Sequence, residues 1–109
     1  MKRGEIWTLA GGPDYTAKPR PAIIVQSDRF DATLSVSICP LTTTLVETIH
    51  VRFAIKPTGS NGLLLPSYAM VDKISTVPRS KVGRFVGHIG KRHLALLKQR
   101  IALFLGIAE

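Results

Sequence analysis

Acidic side chains are missing from the whole stretch between Lys73 and Ala108 of this 109-residue chain. The same stretch carries Lys73, Arg79, Lys81, Arg84, Lys91, Arg92, Lys98 and Arg100, and the net charge is +8. One-sided charge of this kind suits a polyanion or an acidic protein partner. Cysteine is almost absent. Cys39 stands alone, which excludes an internal disulfide and fits a reducing cytoplasm. Set in an apolar run, it reads as a small buried hydrophobe rather than a reactive thiol. Long apolar runs are lacking too, so no membrane span is expected. Met1-Lys2-Arg3-Gly4-Glu5 has no apolar segment behind it, so no signal peptide is expected either. Aromatics are sparse: Trp7, Tyr15, Phe30, Phe53, Tyr68, Phe85 and Phe104 are a modest supply for stacking bases. His50, His88 and His93 are scattered, and no His, Cys or Asp spacing suits a metal. Gly11-Gly12 runs into Pro13 as a hairpin-type loop, not a phosphate cradle ahead of a helix. No cofactor is expected.

What is present fits a single folded domain over residues 1–109, with 45% hydrophobic and 20% charged residues and no repeat or linker. Glu5 to Leu9 alternates as a half-buried strand, and Arg20 to Gln26 reads as a core strand. Leu34 to Leu41 alternates serine with aliphatics. Ile49 to Ile55 alternates again, with His50 and Arg52 on its polar face. Ser67 to Val77 reads as one strand burying Tyr68, Met70 and Ile74. A short basic strand is expected near Val82 to Val86, then a break from Gly87 to Gly90. Leu94, Leu97, Ile101 and Phe104 recur at helical spacing, and Gly106 suits a helix C-cap. About five short strands and one terminal helix predict a mainly β chain, a small bent sheet or partly open barrel covered by the helix. So modest a core makes a homodimer a natural expectation.

The stretch Lys18-Pro19-Arg20-Pro21-Ala22-Ile23-Ile24-Val25-Gln26 is the most specific in the chain. Two prolines hold Arg20 extended at the mouth of a buried strand. A guanidinium so placed is a pre-aimed fork for phosphate or carboxylate. The plainer reading is a surface arginine beside a strand that starts with proline.

Arg3-Gly4-Glu5-Ile6-Trp7, the Arg20 to Val25 segment, Cys39-Pro40-Leu41-Thr42 and the run from Tyr68 to Thr76 occur in order along nearly the whole chain. Together they resemble the MazF/PemK family of toxin endoribonucleases. The resemblance implies an SH3-like barrel of the CcdB/PemK type, a homodimer, and metal-independent cleavage of single-stranded RNA. It also implies a cognate antitoxin with an acidic segment. Carried over residue by residue, it makes Arg20 the phosphate-binding, charge-stabilising group and Thr42 a hydroxyl donor to the scissile phosphate. Asp72 falls at an acidic position linked with proton transfer. Met70 stands where some members have arginine, which is a departure. Asp14 is a second candidate base, or a turn-forming residue after Pro13, and Tyr15 is a candidate for stacking a nucleotide. Lys18, Thr43, Lys73 and Arg79 complete the RNA-binding candidates. Asp72 has a structural alternative as well, a salt bridge to Lys73 or Arg79. Two other functions stay open on the same scaffold: a gyrase-binding toxin that resembles CcdB, and a non-catalytic barrel that binds nucleic acid.

Overall fold

The computed structural model describes residues 1–10 and 19–108. Seven strands and one helix follow in order: β1 (Glu5–Leu9), β2 (Arg20–Ile24), β3 (Ser35–Thr42), β4 (Phe53–Ile55), β5 (Ser67–Ala69), β6 (Ser75–Pro78), β7 (Val82–His88) and α1 (Lys91–Phe104). The strands pair antiparallel in the order β4-β5-β3-β2-β1-β7, and β6 joins β3 off that path. The eight residues of β3 organise the sheet. One edge of β3 pairs with β6 near its start and with β5 at its end, and the other edge takes β2. The result is a strongly bent, barrel-like sheet with a C-terminal helix, as the sequence led us to expect. No described helix is long and apolar enough to cross a membrane.

Bending gives the sheet two buried faces. Ile6, Ile23, Cys39, Leu41, Ile55, Val71 and Leu97 form the larger core, with Leu97 supplied by α1. Ala22, Ile24, Val36 and Ile38 form the smaller one, walled by Met1, Trp7, Leu9, Val77 and Val82. Successive strand residues point to opposite faces. The unbroken run Ala22-Ile23-Ile24 therefore feeds both cores, which is why β2 does not alternate with polar residues. Trp7 and Phe85 meet edge to face across β1 and β7, with ring centroids 5.6 Å apart.

Several elements differ from their sequence expectation. Within Ile49 to Ile55 only Phe53–Ile55 is strand. The residues before it turn, with amide-to-carbonyl bonds from Ile49 to Val46 and from Arg52 to Ile49. The run from Ser67 to Val77 is split by a 3-10 turn at Val71–Lys73, closed by the Lys73 amide on the Met70 carbonyl at 2.9 Å. Its register is also inverted: Ser67, Ala69 and Val71 are buried, whereas Tyr68, Met70 and Ile74 are only partly so. Strand β7 runs through Gly87 to His88, because Gly87 packs closely on the Ser60–Asn61 backbone. Leu34 precedes β3 and is 90% exposed. The helix follows its expected stripe as far as Ile101, but Phe104 stays 46% exposed. Gly106, at φ +72°, ends it, its amide donating to the Leu103 carbonyl.

Candidate active site

Arg20 is the first residue of β2 and Thr42 the last of β3. The β2–β3 register pairs Ala22 with Pro40. Arg20 and Thr42 each lie two residues beyond that pair, at the same end of the two strands. Pro19 and Pro21 flank the arginine and restrict its backbone. Both residues line a cleft of about 290 Å³, with Pro21, Leu41, Thr43, Thr44 and Ser67. None of these lining residues is acidic. Among the described residues, the exposed Arg20 guanidinium has no hydrogen-bond or ion-pair partner. The Thr42 hydroxyl oxygen accepts the Thr44 amide at 3.2 Å, which orients the oxygen and leaves its O–H to donate outward. A permanent cation lining one cleft with an oriented hydroxyl is a site for a tetrahedral anion.

A family model for the PemK-like, MazF-like toxin of type II toxin–antitoxin systems matches residues 2–105. The chain belongs to this family. It is 44% identical over 108 residues, 99% of each chain, to the probable endoribonuclease MazF of Mycolicibacterium smegmatis. It is 25% identical to the endoribonuclease MazF9 of Mycobacterium tuberculosis, over 98% of each chain. A mycobacterial endoribonuclease solved in complex with its cognate antitoxin shares the fold, with a TM-score of 0.80 at 24% identity. That match covers 100% of this chain and 98% of the other.

In this MazF-like chain Asp72 lies in the 3-10 turn between β5 and β6 and is not among the residues lining the cleft. Its two oxygens accept Nε and Nη2 of Arg52 at 2.8 and 3.0 Å. The expected alternative of a pair with Lys73 or Arg79 is therefore corrected to Arg52. The Arg52 hydrogen bond holds the Asp72 carboxyl below the usual aspartate range, against the opposing effect of burial. Such a carboxylate is a weak base. Arg79 is occupied elsewhere: its guanidinium donates to the Thr33 carbonyl at 2.8 Å and to the Asp31 carbonyl at 2.6 Å. It staples the segment before β3 rather than facing the cleft. Lys73 is exposed at the end of the 3-10 turn and also lies off the cleft. Thr43 does line it. Asp14, Tyr15 and Lys18 lie outside the described residues. Burial, reinforced by the nearby Asp72, pushes the Cys39 thiol up to about 12, in keeping with an inert buried cysteine.

Sequence reasoning missed Thr44 and Ser67, which complete the cleft. Ser67 directly precedes the Tyr68 segment, but its position depends on the inverted register of β5. The alternation of Ile49 to Ile55 marks Arg52 only as part of a polar strand face.

Proposed function

We propose that this protein is the toxin of a type II toxin–antitoxin pair and a metal-independent, sequence-selective endoribonuclease acting on single-stranded mRNA. The observation that carries this is Arg20 and Thr42 lining one cleft with no acidic lining residue. RNA brings its own nucleophile, the 2′-hydroxyl. Its attack on the neighbouring phosphorus, with loss of the hydroxyl proton, forms a crowded, doubly charged phosphorane; the 5′-oxygen then departs, taking up a proton from solvent, and leaves a 2′,3′-cyclic phosphate and a 5′-hydroxyl end. Arg20 supplies fixed positive charge where charge develops, and Thr42 donates a hydrogen bond to a non-bridging oxygen. Thr42 has no adjacent base and acts as a donor, not a covalent nucleophile. For the proton on the 2′-hydroxyl, Asp14, on the segment leading into β2, is the candidate base. Asp72, held by Arg52 away from the cleft-lining residues, is not the proton acceptor in this reading.

The partners follow from the same charge. A net charge of +8 supports binding of RNA and of an acidic antitoxin that covers the cleft. We place the protein in the cytoplasm as a homodimer. The relatives are ribonucleases by name, which leaves the gyrase-binding alternative without support. The test is a long defined RNA incubated with the protein in EDTA, beside Arg20→Ala. Discrete fragments with 5′-hydroxyl ends from the wild type alone are the expected result. Intact RNA together with blocked gyrase would sink the nuclease reading.

A further inference from the structure

A second groove of about 320 Å³ adjoins the Arg20 cleft and shares Pro21, Thr43 and Ser67 with it. Arg84 and Val86 from β7, Thr8 from β1, and Leu64 and Leu65 from the β4–β5 connection make its far wall. Leu64 is 94% exposed and Leu65 60% exposed. Leucines so exposed are ordinary on a mobile tip, but this connection is held. The Asn61 carboxamide oxygen accepts the Thr58 and Leu63 amides at 3.0 Å each, and its nitrogen donates to the Lys56 carbonyl at 2.8 Å. The His88 amide donates to the Ser60 carbonyl at 3.0 Å, tying the connection to β7. Gly62, at φ +67°, passes so close to the Val86 carbonyl that any side chain would collide with it. The backbone leading to Leu64 and Leu65 is thus held in place.

Arg84 is placed with equal care. The β1–β7 register slips on either side of Trp7, and such irregularities re-aim side chains. The Thr8 hydroxyl accepts the Arg84 amide at 2.8 Å, fixing the backbone there. Among the described residues, the exposed Arg84 guanidinium has no hydrogen-bond or ion-pair partner. A rigid apolar wall beside an open guanidinium suits an unstacked base, which lays its face on carbon and its edge or phosphate on the arginine.

We infer that the groove between Arg84 and Leu64–Leu65 is a nucleotide subsite, taking the base next to the scissile phosphate bound at Arg20 and contributing to the choice of cleavage sequence. The inference rests on the ribonuclease reading. RNA is favoured over a protein partner because the groove is continuous with the phosphate cleft and no acidic residue lines either one.

The test uses the whole protein and two readouts. The first is anisotropy of a labelled single-stranded 2′-O-methyl oligonucleotide pool, which binds without being cut. Arg84→Ala and Leu64→Ser should each weaken binding roughly tenfold, in the range of losing one base contact. Leu34→Ser and Lys98→Ala, which remove an exposed leucine and an exposed charge elsewhere, should leave binding near the wild-type value. The second is mapping of cut sites on a long RNA, where both groove variants should relax the preference at one position beside the cut. All four substitutions are at exposed positions, so the fold should survive them. Groove variants that bind and cut like the controls would overturn the subsite. So would variants that handle RNA normally but escape inhibition by the antitoxin, which would assign the groove to protein. Wild-type protein that leaves RNA uncut would overturn the cleavage reading and with it the groove's part in choosing a cleavage sequence, while binding differences that persist would still support a nucleotide-binding groove.

Discussion

Arg20 can carry function without weakening the fold because it is exposed at the end of a strand whose hydrophobic residues begin only after it. Replacing it should change unfolding stability by no more than about 0.5 kcal/mol. Cleavage by Arg20→Ala should nevertheless fall by at least ~10²-fold, the usual loss for one preorganised transition-state donor. Arg20→Lys keeps the charge but not the planar fork, so its kcat should lie between the two. A rate for Arg20→Lys equal to that of the wild type would mean that charge alone is sufficient. Asp72 makes the opposite case. Its carboxylate is fixed to Arg52, so Asp72→Asn should reduce stability by about 2 kcal/mol at neutral pH and leave the specific activity of the folded protein close to wild type. Because Arg52 lowers the folded carboxyl's pKa, this contribution is present in full above the unfolded value, near 4. It fades as pH falls through the lower folded value. Urea midpoints of wild type and variant, compared from pH 7 down to pH 2, should therefore converge only at the acid end. Loss of cleavage by Asp72→Asn at unchanged stability would return this carboxylate to the chemistry. Arg20 stood out as a candidate in the sequence through its two flanking prolines, whereas Thr42 entered only through the family resemblance; the structure lines one cleft with both. The Arg52–Asp72 pair was not, because 20 residues and an unforeseen 3-10 turn separate its members.

Strands that alternate clearly, or that are apolar throughout, were readable, and β1, β2, β3 and β7 lie close to where the sequence put them. The failures fall where a local hydrogen bond between turn residues outcompetes the sheet. Ile49 to Arg52 has strand-like alternation, yet its amides close turns and its carbonyls at His50 and Arg52 accept the Arg100 guanidinium from α1. Period-2 patterning cannot register a donor that arrives from 50 residues away. The helix was legible because one face is apolar, and its burial gives a direct check. Leu97 is fully buried in the larger core, so Leu97→Ala should cost about 2–5 kcal/mol in urea unfolding. A loss below ~1 kcal/mol would mean that α1 is only loosely docked. The β4–β5 connection offers a second check. Gly62→Ala meets both a positive φ and the Val86 carbonyl, so it should destabilise by roughly 2 kcal/mol or more. It should also loosen the Leu64–Leu65 wall, whereas Gly59→Ala, with open space around it, should do neither.

Across the whole molecule, acidic and basic groups are used differently. Glu5, Asp28, Asp31 and Asp72 all accept hydrogen bonds from within the fold, three of them around the N-terminus through Lys2 and Arg3. Ion pairs with the N-terminal ammonium, Lys2 and Arg52 offset Glu5, Asp31 and Asp72, while among the described residues Arg20 and Arg84 stay unpaired along one continuous trough. Net charge alone would attract any polyanion, but a trough with spaced cations makes a countable number of phosphate contacts. Each phosphate neutralised on a single strand releases counterions and adds about −0.7 to the slope of log K against log salt. Binding of a non-cleavable single-stranded oligonucleotide, measured between low and physiological salt, should therefore follow a straight line on those axes. Arg20→Ala and Arg84→Ala should each make that slope shallower by about 0.7, and the double variant by about twice as much. Lys98→Ala, on the exposed surface of α1, should leave the slope as it is. Equal changes for all three would mean that RNA samples the basic surface diffusely, with no defined path through the cleft. A change at Arg20 and Arg84 alone would mean that both cations engage the same bound strand.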